Sequence, residues 1–293
     1  MSTLSRRHFL AGASLAFGAA TLGSRFASSA EPNRPRTAAD PVTLGKTGIK
    51  TSLLGIGTGM TGGGHSSNQL RAGQAAFTRL IRHALDRGIR YIDSADMYGT
   101  HIFIREALKG VDRSNLFIQT KTRATHPEVA KADIDRYREE LGMERLDTVL
   151  MHCMTKGSFP VDMRPVMDAL QDAKEKGKIR AVGVSCHGWD PLEASVGCDW
   201  IDVQLARINP HGTAMDATPE KVAAQLKKMH DKGRGVIGMK ICGGGGNTGA
   251  QDRLKSLRFV VGLGSVDCFA VGFETPQQID EVVAQIESIG KEA

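Results

Sequence analysis

The chain has 293 residues, of which 38 are Lys or Arg and 32 are Asp or Glu, so its formal net charge is +6. Hydrophobic residues make up 41% and charged residues 24%, which are values of a folded chain and exclude an intrinsically disordered one. Aromatic residues are only 5% and no basic run carries interleaved aromatics, so the sequence predicts no nucleic-acid surface.

The N-terminus carries the three parts of an export signal. Arg6 and Arg7 supply a positive start, residues 10–22 are mostly apolar and small, and residues 28–30 offer small side chains for cleavage. The paired arginines resemble a twin-arginine signal. We therefore expect residues 1–30 to be a signal peptide that the twin-arginine export machinery recognises.

This signal would account for part of the basicity and would set the location of the protein. Residues 1–30 hold three arginines and no acidic residue, so their removal would halve the net charge of +6. We expect residues 31–40 to be a linker and residues 41–293 to be one folded domain of a periplasmic or otherwise exported protein. No later apolar run is long enough to span a bilayer, so we expect no stable membrane insertion after cleavage.

From residue 41 onward, short β-rich runs alternate with amphipathic helical runs. Each β-rich run is four to eight residues long and rich in Val, Ile or Leu, which is typical of strands buried on both faces. The segment Val42–Ser52 predicts a small hairpin that precedes these strands. The predicted strands are Leu53–Gly57, Tyr91–Ala95, Leu116–Lys121, Thr148–His152, Arg180–Ser185, Asp202–Ala206, Gly235–Ile241 and Cys268–Gly272.

Helical spacing of apolar residues predicts helices between the strands, several of them ended by glycine or started by a Thr-Pro pair. The predicted helices are Ala75–Arg87, Ala130–Leu141, Pro165–Lys176, Pro219–Asp231 and one that begins at Pro276. Eight strand-then-helix units predict the α/β class and a closed (β/α)₈ TIM barrel as a single domain. A doubly wound sheet is the alternative, but Gly55–Gly59 does not complete the GxGxxG pattern usual after its first strand.

A barrel of this kind carries its active site at the C-terminal ends of its strands. The second predicted strand leads into Asp93 and Tyr98, the third ends at Lys121 and the fourth ends at His152. One carboxylate, one phenol, one ammonium and one imidazole would therefore meet at the mouth of the barrel. These residue types can deliver a proton to a substrate oxygen, and we expect Lys121, a cation beside the phenol, to lower the pKa of Tyr98.

Six sequence pieces in one order resemble the aldo/keto reductase family over essentially all of residues 41–290. The pieces are Leu44-Gly45-Lys46-Thr47-Gly48, the Asp-x4-Tyr-Gly run at 93–99, Gln119-Thr120-Lys121, Met151-His152, Gly177–Ser185 and Thr275-Pro276. The resemblance implies that Tyr98 is the proton donor and that Asp93, Lys121 and His152 complete a catalytic tetrad. It also implies oxidation or reduction of a small-molecule carbonyl or alcohol substrate.

The same resemblance implies a nicotinamide cofactor, either NADP or NAD. The cofactor-binding residues that it implies are Thr58, Ser185, Gln204, Met239, Lys240, Gly243 and Gly244. The family usually has Asn where this chain has Cys186, and an aromatic ring where it has Met239. The positions that hold the 2′-phosphate of NADP in many relatives fall near Gly272 and Gln278, which are neutral here, with Glu274 between them.

Two other functions are compatible with single features of the sequence. A ring of histidines follows the predicted strand ends, with Cys153, Cys186 and Cys242 on the same face; its members are His65, His101, His126, His152, His187 and His211. Such a ring would suit a metal-dependent hydrolase or lyase, although no HxH or HxxxH spacing occurs and the tetrad itself needs no metal. A non-catalytic binding protein on a barrel is the other possibility, and the intact tetrad argues against it.

Export would separate the protein from the soluble cofactor pool of the cytoplasm. We therefore expect a cofactor that is loaded before export and released slowly, with recharging by a second substrate. A redox-neutral reaction that oxidises and re-reduces one molecule is the alternative.

Overall fold

Eight parallel strands close into a barrel in the computed structural model of the chain, which describes residues 37–292. The predicted signal peptide and most of the predicted linker lie outside these residues. The hairpin strands are β1 (Pro41–Thr43) and β2 (Lys50–Ser52). The barrel strands are β3 (Leu54–Gly57), β4 (Tyr91–Asp93), β5 (Phe117–Thr122), β6 (Leu146–Met154), β7 (Ile179–Cys186), β8 (Val203–Arg207), β9 (Gly235–Met239) and β10 (Cys268–Gly272).

The barrel is closed by pairing of the last strand with the first. Each strand is parallel to the next along the chain, and β10 pairs with both β9 and β3. The predicted (β/α)₈ fold is therefore confirmed, and most strand ends lie within two residues of their predicted positions. The active-site end of such a barrel is the end at which the strands finish.

Helices cover the outside of the barrel and bury one apolar stripe each. In the helix from Gln74 to Asp86 that stripe is Phe77, Leu80, Ile81 and Ala84, at helical spacing. The helices are α1 (Asn68–Arg71), α2 (Gln74–Asp86), α3 (His101–Ala107), α4 (Pro127–Leu141), α5 (Phe159–Asp162), α6 (Arg164–Glu175), α7 (Trp189–Ser195), α8 (Pro219–Asp231), α9 (Ala250–Gly262) and α10 (Pro276–Glu292). None of the described helices is long and apolar enough to cross a membrane.

The barrel interior is a packed apolar layer that the hairpin seals from below. Leu44 and Ile49, in the turn between β1 and β2, are buried in this interior layer. The residues that complete it come from all strands but β3: Tyr91, Phe117, Leu150, Ala181, Val203, Leu205, Ile237, Cys268 and Ala270. Above this layer, the inner face carries the polar side chains of Lys121 and His152.

Strand β5 illustrates how the sequence sorts side chains between the two faces. Phe117 belongs to the interior layer, whereas Ile118 packs in the outer core under the helices. Thr122 also faces outward, since its hydroxyl donates to the Asp133 carboxylate of α4 at 2.6 Å. The alternation of a strand therefore places Lys121 on the inner face, above Phe117.

The end of the predicted linker is part of the described structure. Ala38 is buried, and its carbonyl accepts a hydrogen bond from the Leu54 amide at 3.0 Å. The Leu53 amide donates to the Asp40 carbonyl at the same distance. Residues 37–40 therefore pack against the start of β3.

Candidate active site

A buried ion pair forms the base of the candidate active site. The Lys121 ammonium donates to Asp93 Oδ1 and to the Ser94 carbonyl oxygen, both at 2.7 Å. Lys121 is 1% exposed, so its charge requires these partners. Burial opposes the charge, but the Asp93 carboxylate, helped by Tyr98, outweighs it and raises the pKa of Lys121. Lys121 is therefore a fixed cation at the top of the barrel interior.

Gln119 is a member of this site whose role the sequence interpretation missed. Its Nε2 atom donates to Asp93 Oδ1 at 2.7 Å and to the Tyr91 hydroxyl at 3.0 Å. Gln119 lies two residues before Lys121 on β5, so the alternation of the strand puts both on the inner face. That periodicity was the available signal. The amide orients the Asp93 carboxylate toward Lys121.

Tyr98 lies beside the ion pair, on a single 3₁₀ turn (Asp96–Tyr98) that follows β4. Its ring centroid is 5.0 Å from Lys121 Nζ, and 5.7 Å from the centroid of the His152 ring, which stands nearly perpendicular to it. The loop after β3 touches the other side of the ring. A Cβ atom at Gly59 would come within 2.4 Å of the ring, and one at Gly62 within 2.6 Å, so only glycine fits there.

The pKa of Tyr98 differs in direction from the sequence expectation. Burial raises it, and the Asp93 carboxylate adds to the rise, while Lys121 lowers it without cancelling the other two. The expectation from the sequence considers only the effect of Lys121 on the pKa of Tyr98 and not that of burial. The phenol is therefore protonated throughout the neutral range, as a proton donor must be before it reacts.

His152 completes the tetrad as a neutral imidazole. It ends the inner face of β6 and is 5% exposed. Burial, followed by the positive charges of Lys121, His187 and Arg123, lowers the pKa of His152 to about 2. Its Nδ1 atom is buried and has no hydrogen-bond partner among residues 37–292. The ring can therefore offer one N–H donor to a substrate oxygen without carrying a charge.

Two of the predicted cofactor residues keep spare hydrogen-bonding capacity. Ser185 is fully buried, and its oxygen accepts from the Cys153 amide at 2.9 Å, which leaves its hydroxyl proton for another acceptor. Gln204 is fully buried too, and its Nε2 atom donates to the Leu205 carbonyl at 3.1 Å. This bond fixes the orientation of the side-chain amide, so that Oε1 is the atom on its other side. Oε1 has no partner within the described residues. A carboxamide, which has both a donor and an acceptor, fits this pair of groups.

Thr58 and Met239 occupy different surroundings. The Thr58 hydroxyl donates to the Asp93 carbonyl at 2.9 Å and lies 2.9 Å from the Thr100 hydroxyl, so it is already engaged in the barrel wall. Met239 ends the inner face of β9 and packs partly buried against the interior layer. It offers a flat, polarisable thioether where the family usually has a ring.

The glycine-rich segment after β9 is more ordered than a bare phosphate-binding loop. It forms a 3₁₀ turn (Gly243–Gly245), and three of its amides already donate to carbonyls of the same loop: those of Gly243, Gly245 and Gly246. Lys240 has a left-handed backbone with φ 56°, and its Nζ is 3.9 Å from where a Cβ of Gly244 would lie. Phosphate contact at this loop would therefore depend on the Gly244 amide and the Lys240 side chain.

The region near the start of α10 carries a carboxylate and no cation. Glu274 accepts a hydrogen bond from Asn68 Nδ2 at 2.7 Å, and the Gln278 side chain accepts from the Glu274 amide at 2.7 Å. A Cβ at Gly272 would come within 2.4 Å of the Met60 side chain, so this position has no room for a basic residue.

The histidine ring expected for a metal enzyme does not assemble. His101 is buried in α3 and pairs with Glu140 and Thr120, both at 2.7 Å. Within residues 37–292 the one group spaced like metal ligands is Asp96, His101 and Glu140. Arg136 already bridges its two carboxylates, at 2.8 and 3.0 Å. The metal-dependent alternative is therefore not favoured.

Comparison with known proteins followed this geometry. The model of the aldo/keto reductase family matches residues 53–260. Aldo-keto reductase family 1 member A1 of Cricetulus griseus is 32% identical over 164 residues, which are 47% of this chain and 47% of that protein. The NADH-specific methylglyoxal reductase of Escherichia coli (strain K12) is 23% identical over 198 residues, 60% of each chain. The chain thus spans about half the length of the first of these relatives.

Solved structures of similar fold agree with the barrel. A Pseudomonas aeruginosa protein described as an aldo-keto reductase superposes with a TM-score of 0.71 at 21% identity, covering 86% of this chain and 96% of that one. The holo form of an aldo-keto reductase from Bacillus halodurans gives 0.67 at 16% identity, covering 87% and 96%. At these identities the likeness shows the fold alone.

Proposed function

The chain belongs to the aldo/keto reductase family, and on that premise we propose that it is an NAD(P)-dependent oxidoreductase that interconverts a carbonyl and an alcohol. The single observation that supports this most strongly is the contact set around Lys121. The ion pair between the Lys121 ammonium and Asp93 would be stable without the phenol of Tyr98 and the neutral imidazole of His152 beside it, so the fold alone does not explain these two groups. Proton transfer to a carbonyl oxygen has need of both.

The chain's own side chains divide the work as follows. His152, held neutral, donates a hydrogen bond to the substrate oxygen and positions it beside the phenol. Tyr98 gives its proton to that oxygen as negative charge develops there. Lys121 stabilises the phenolate that remains, and Asp93 keeps the ammonium charged and in place. In the oxidation direction the same groups act in reverse order.

A bound nicotinamide cofactor would supply or accept the hydride. Its carboxamide would be held by the free hydroxyl proton of Ser185 and the unpartnered Oε1 of Gln204. Met239 would pack against the ring, and Lys240 with Gly244 would lie near the phosphates, with Gly243 supporting that turn. Thr58 would contribute through the barrel wall.

NADH is the better fit to the region around α10. Glu274 would repel the 2′-phosphate of NADPH, and no cation takes the place of the basic residues common in relatives. The name of one relative specifies NADH, so the family tolerates that preference. We expect the wild-type protein to bind NADPH no more tightly than NADH.

A titration of the purified protein with each cofactor, followed by fluorescence, tests this preference. Glu274→Gln keeps a hydrogen-bond acceptor for Asn68 and removes the charge, so it should tighten NADPH binding severalfold and leave NADH unchanged. Glu281→Gln removes an exposed charge from α10, seven residues further along the chain, and serves as the matched control. A wild-type dissociation constant a hundredfold lower for NADPH would contradict the proposal.

Export by the twin-arginine route forms the second part of the proposal. It rests on the sequence of residues 1–30 alone, with the small-molecule substrate then met outside the cytoplasm. Replacing Arg6 and Arg7 together by Lys should retain the protein in the cytoplasm with an unchanged fold. If the signal is right, mass spectrometry of the exported protein should find a nicotinamide cofactor that copurifies in near-equal amount.

The activity itself is tested with a panel of aldehydes and ketones. Oxidation of NADH or NADPH is followed by the loss of cofactor absorbance at saturating cofactor. The same measurement without added carbonyl is the blank. No turnover of any carbonyl or alcohol with either cofactor, in a protein that binds the cofactor, would refute the proposed activity.

A further inference from the structure

Arg123 follows Lys121 by two residues, directly after the end of β5. On β5 the inner face carries Phe117 and Lys121, while Thr122 turns outward to Asp133. Arg123, the first residue after the strand, is the next position of the inner face. Two residues of a strand advance by roughly 7 Å, so the backbone of Arg123 lies about one level above that of Lys121. The charge of Arg123 is among the causes that lower the pKa of His152 and of His187, so its guanidinium lies near both imidazoles. Its side chain is exposed at the mouth of the barrel.

Strands β7 and β8, which are adjacent to each other, also have a basic residue as the last position of their inner face. On β7 the inner face passes from Ala181 to Ser185, and His187 is its next position. On β8 it passes from Leu205 to Arg207. Arg123, His187 and Arg207 thus lie at the ends of β5, β7 and β8, and β6, which carries His152, lies between β5 and β7. We call these three residues the basic rim.

The charges of the basic rim are only partly neutralised. Arg207 forms an ion pair with the buried Asp216, although its Nε atom is buried without a partner. Arg123 has no carboxylate within ion-pair distance among residues 37–292. The pKa of His187 reflects this excess of positive charge. It is lowered to about 4, first by burial and then by the charges of Arg207, Lys240, Lys121 and Arg123. The mouth therefore has a positive potential that Asp93 and Asp216 balance only in part.

The rim is joined to the catalytic level through Cys153. The backbone of Cys153 is left-handed, with φ 61°, at an irregularity in β6 directly after His152. This turn brings its sulfur to 3.6 Å from His187 Nε2. The rest of a molecule whose carbonyl oxygen contacts His152 would therefore have Arg123 and His187 within reach.

We propose that the basic rim binds an anionic group, a carboxylate or a phosphate, on the same substrate whose carbonyl meets Tyr98 and His152. This inference rests on the proposed function, because it names the substrate class of that site. Arg123 supplies the unpaired charge and His187 a neutral N–H donor, while Arg207 adds a positive charge that Asp216 already pairs. The anion would lie about 7 Å from the carbonyl carbon, one strand level higher. Guanidinium groups suit both anions, since their planar donors match paired oxygens.

Two pairs of substrates separate charge from the carbonyl group. Terephthalaldehydic acid is compared with its methyl ester, and 4-formylphenyl phosphate, whose phosphate is held at a similar distance from the carbonyl, with 4-methoxybenzaldehyde. The wild-type kcat/KM should be at least tenfold higher for the charged member of at least one pair, and the favoured pair tells carboxylate from phosphate. Arg123→Gln should remove that advantage, lowering kcat/KM for the charged member far more than for its neutral partner. Arg123→Lys should keep part of it, and Arg164→Gln, an exposed arginine of α6, should keep all of it.

The outcomes distinguish this inference from the proposed function. Equal rates for charged and neutral members, or an equal loss for both in Arg123→Gln, would overturn the basic rim while leaving the reductase intact. Weaker NADH binding by Arg123→Gln would assign the rim to the cofactor and would overturn it as well.

If no carbonyl is reduced, the proposed function fails and binding alone decides the rim. Calorimetry with terephthalate and the cofactor-loaded protein should then give heat with wild type and Arg164→Gln, and little with Arg123→Gln. Equal binding by all three proteins, or by none, would overturn the rim.

Discussion

Both ends of the barrel collect basic side chains, but those side chains contact different groups. The lower end holds a cavity of about 580 Å³ whose basic lining residues are Lys46, Lys174, Arg180, Lys232 and Arg234. Four of the five lie within 4.0 Å of a carboxylate. At the upper end Lys121 and Arg207 are paired, whereas Arg123 faces the mouth with no carboxylate partner among the described residues.

The difference indicates which cations serve the fold and which remain for a ligand. A cation that already contacts a carboxylate and backbone carbonyls attracts a further anion only weakly. Its removal takes a hydrogen-bond donor away from those partners and so destabilises the fold. A cation without a partner contributes little to folding and keeps its full attraction for an incoming charge. A basic cavity is thus a weaker indication of an anion site than one unpaired arginine beside catalytic groups.

The largest effect should come from Tyr98→Phe, which acts only at the upper end. Loss of the hydroxyl removes the proton donor, so carbonyl reduction should fall at least about a hundredfold. The free energy of unfolding should change by less than about 1 kcal/mol, because the ring and its contacts remain. Tyr137→Phe, at a buried tyrosine of α4 outside the barrel, should keep full activity. A fall of less than about threefold in Tyr98→Phe would leave Tyr98 without its assigned role.

The sequence predicted the parts of this site that depend on order along the chain. Asp93, Lys121 and His152 lie where polar residues close buried strands, so finding the strands was enough to bring them together. The pKa direction of Tyr98 was wrong because burial, which depends on contacts from the distant Gly59 loop, exceeds the effect of Lys121. Strand alternation alone could have placed Arg123 on the inner face.

The cofactor half was predicted less completely, for a different reason. Hydrogen bonds within the loop after β9 and the clash that a side chain at Gly272 would make with Met60 both arise from tertiary packing. Substitution of Gly272 by Lys, which the sequence suggests as a way to favour NADPH, would therefore disturb the loop that carries Met60. Composition and spacing contain no signal for such contacts.

Acid should destabilise the upper end through His152. In the unfolded chain its pKa is near 6.5, and in the folded protein it is about 2, so between these values only the unfolded state binds the proton. The stability that depends on a neutral His152 is therefore complete above pH 6.5 and declines as the pH falls. We expect wild type to lose about 1.4 kcal/mol per pH unit relative to His152→Gln below that pH.

Urea unfolding of wild type and His152→Gln at several pH values measures this difference. Groups elsewhere cancel in the comparison, including Asp267 at the lower end, whose pKa burial raises to about 6 and which would act in the opposite direction. Parallel stability curves from pH 7 down to pH 5 would mean that His152 titrates normally and is not held neutral by burial.

The lower end should respond to Arg234→Met with a loss of stability and none of activity. Arg234 is 6% exposed, and it donates to the carbonyls of Ser195 and Val196 and to the Asp199 carboxylate. Removal takes away three hydrogen bonds of a buried guanidinium, at a cost of about 1.5–3 kcal/mol in all. The Ser195 carbonyl keeps the Cys198 amide as a donor, and the Val196 carbonyl keeps the Lys232 ammonium. Thermal or urea unfolding gives the loss, and kcat/KM for the best carbonyl substrate should stay within twofold. A decrease in kcat/KM larger than this would mean that the lower cavity communicates with the site.

The smallest expected effect is the most informative for the contrast between the two ends. Arg123→Met makes the same type of change as Arg234→Met, an arginine replaced by an unbranched apolar side chain of similar length. Because Arg123 is exposed and has no carboxylate partner among the described residues, its loss should change the free energy of unfolding by less than about 0.5 kcal/mol. Paired urea curves at one pH decide the point. A loss comparable to that of Arg234→Met would mean that Arg123 already has partners in the folded protein, and the distinction between structural and ligand-directed cations would then not separate the two ends.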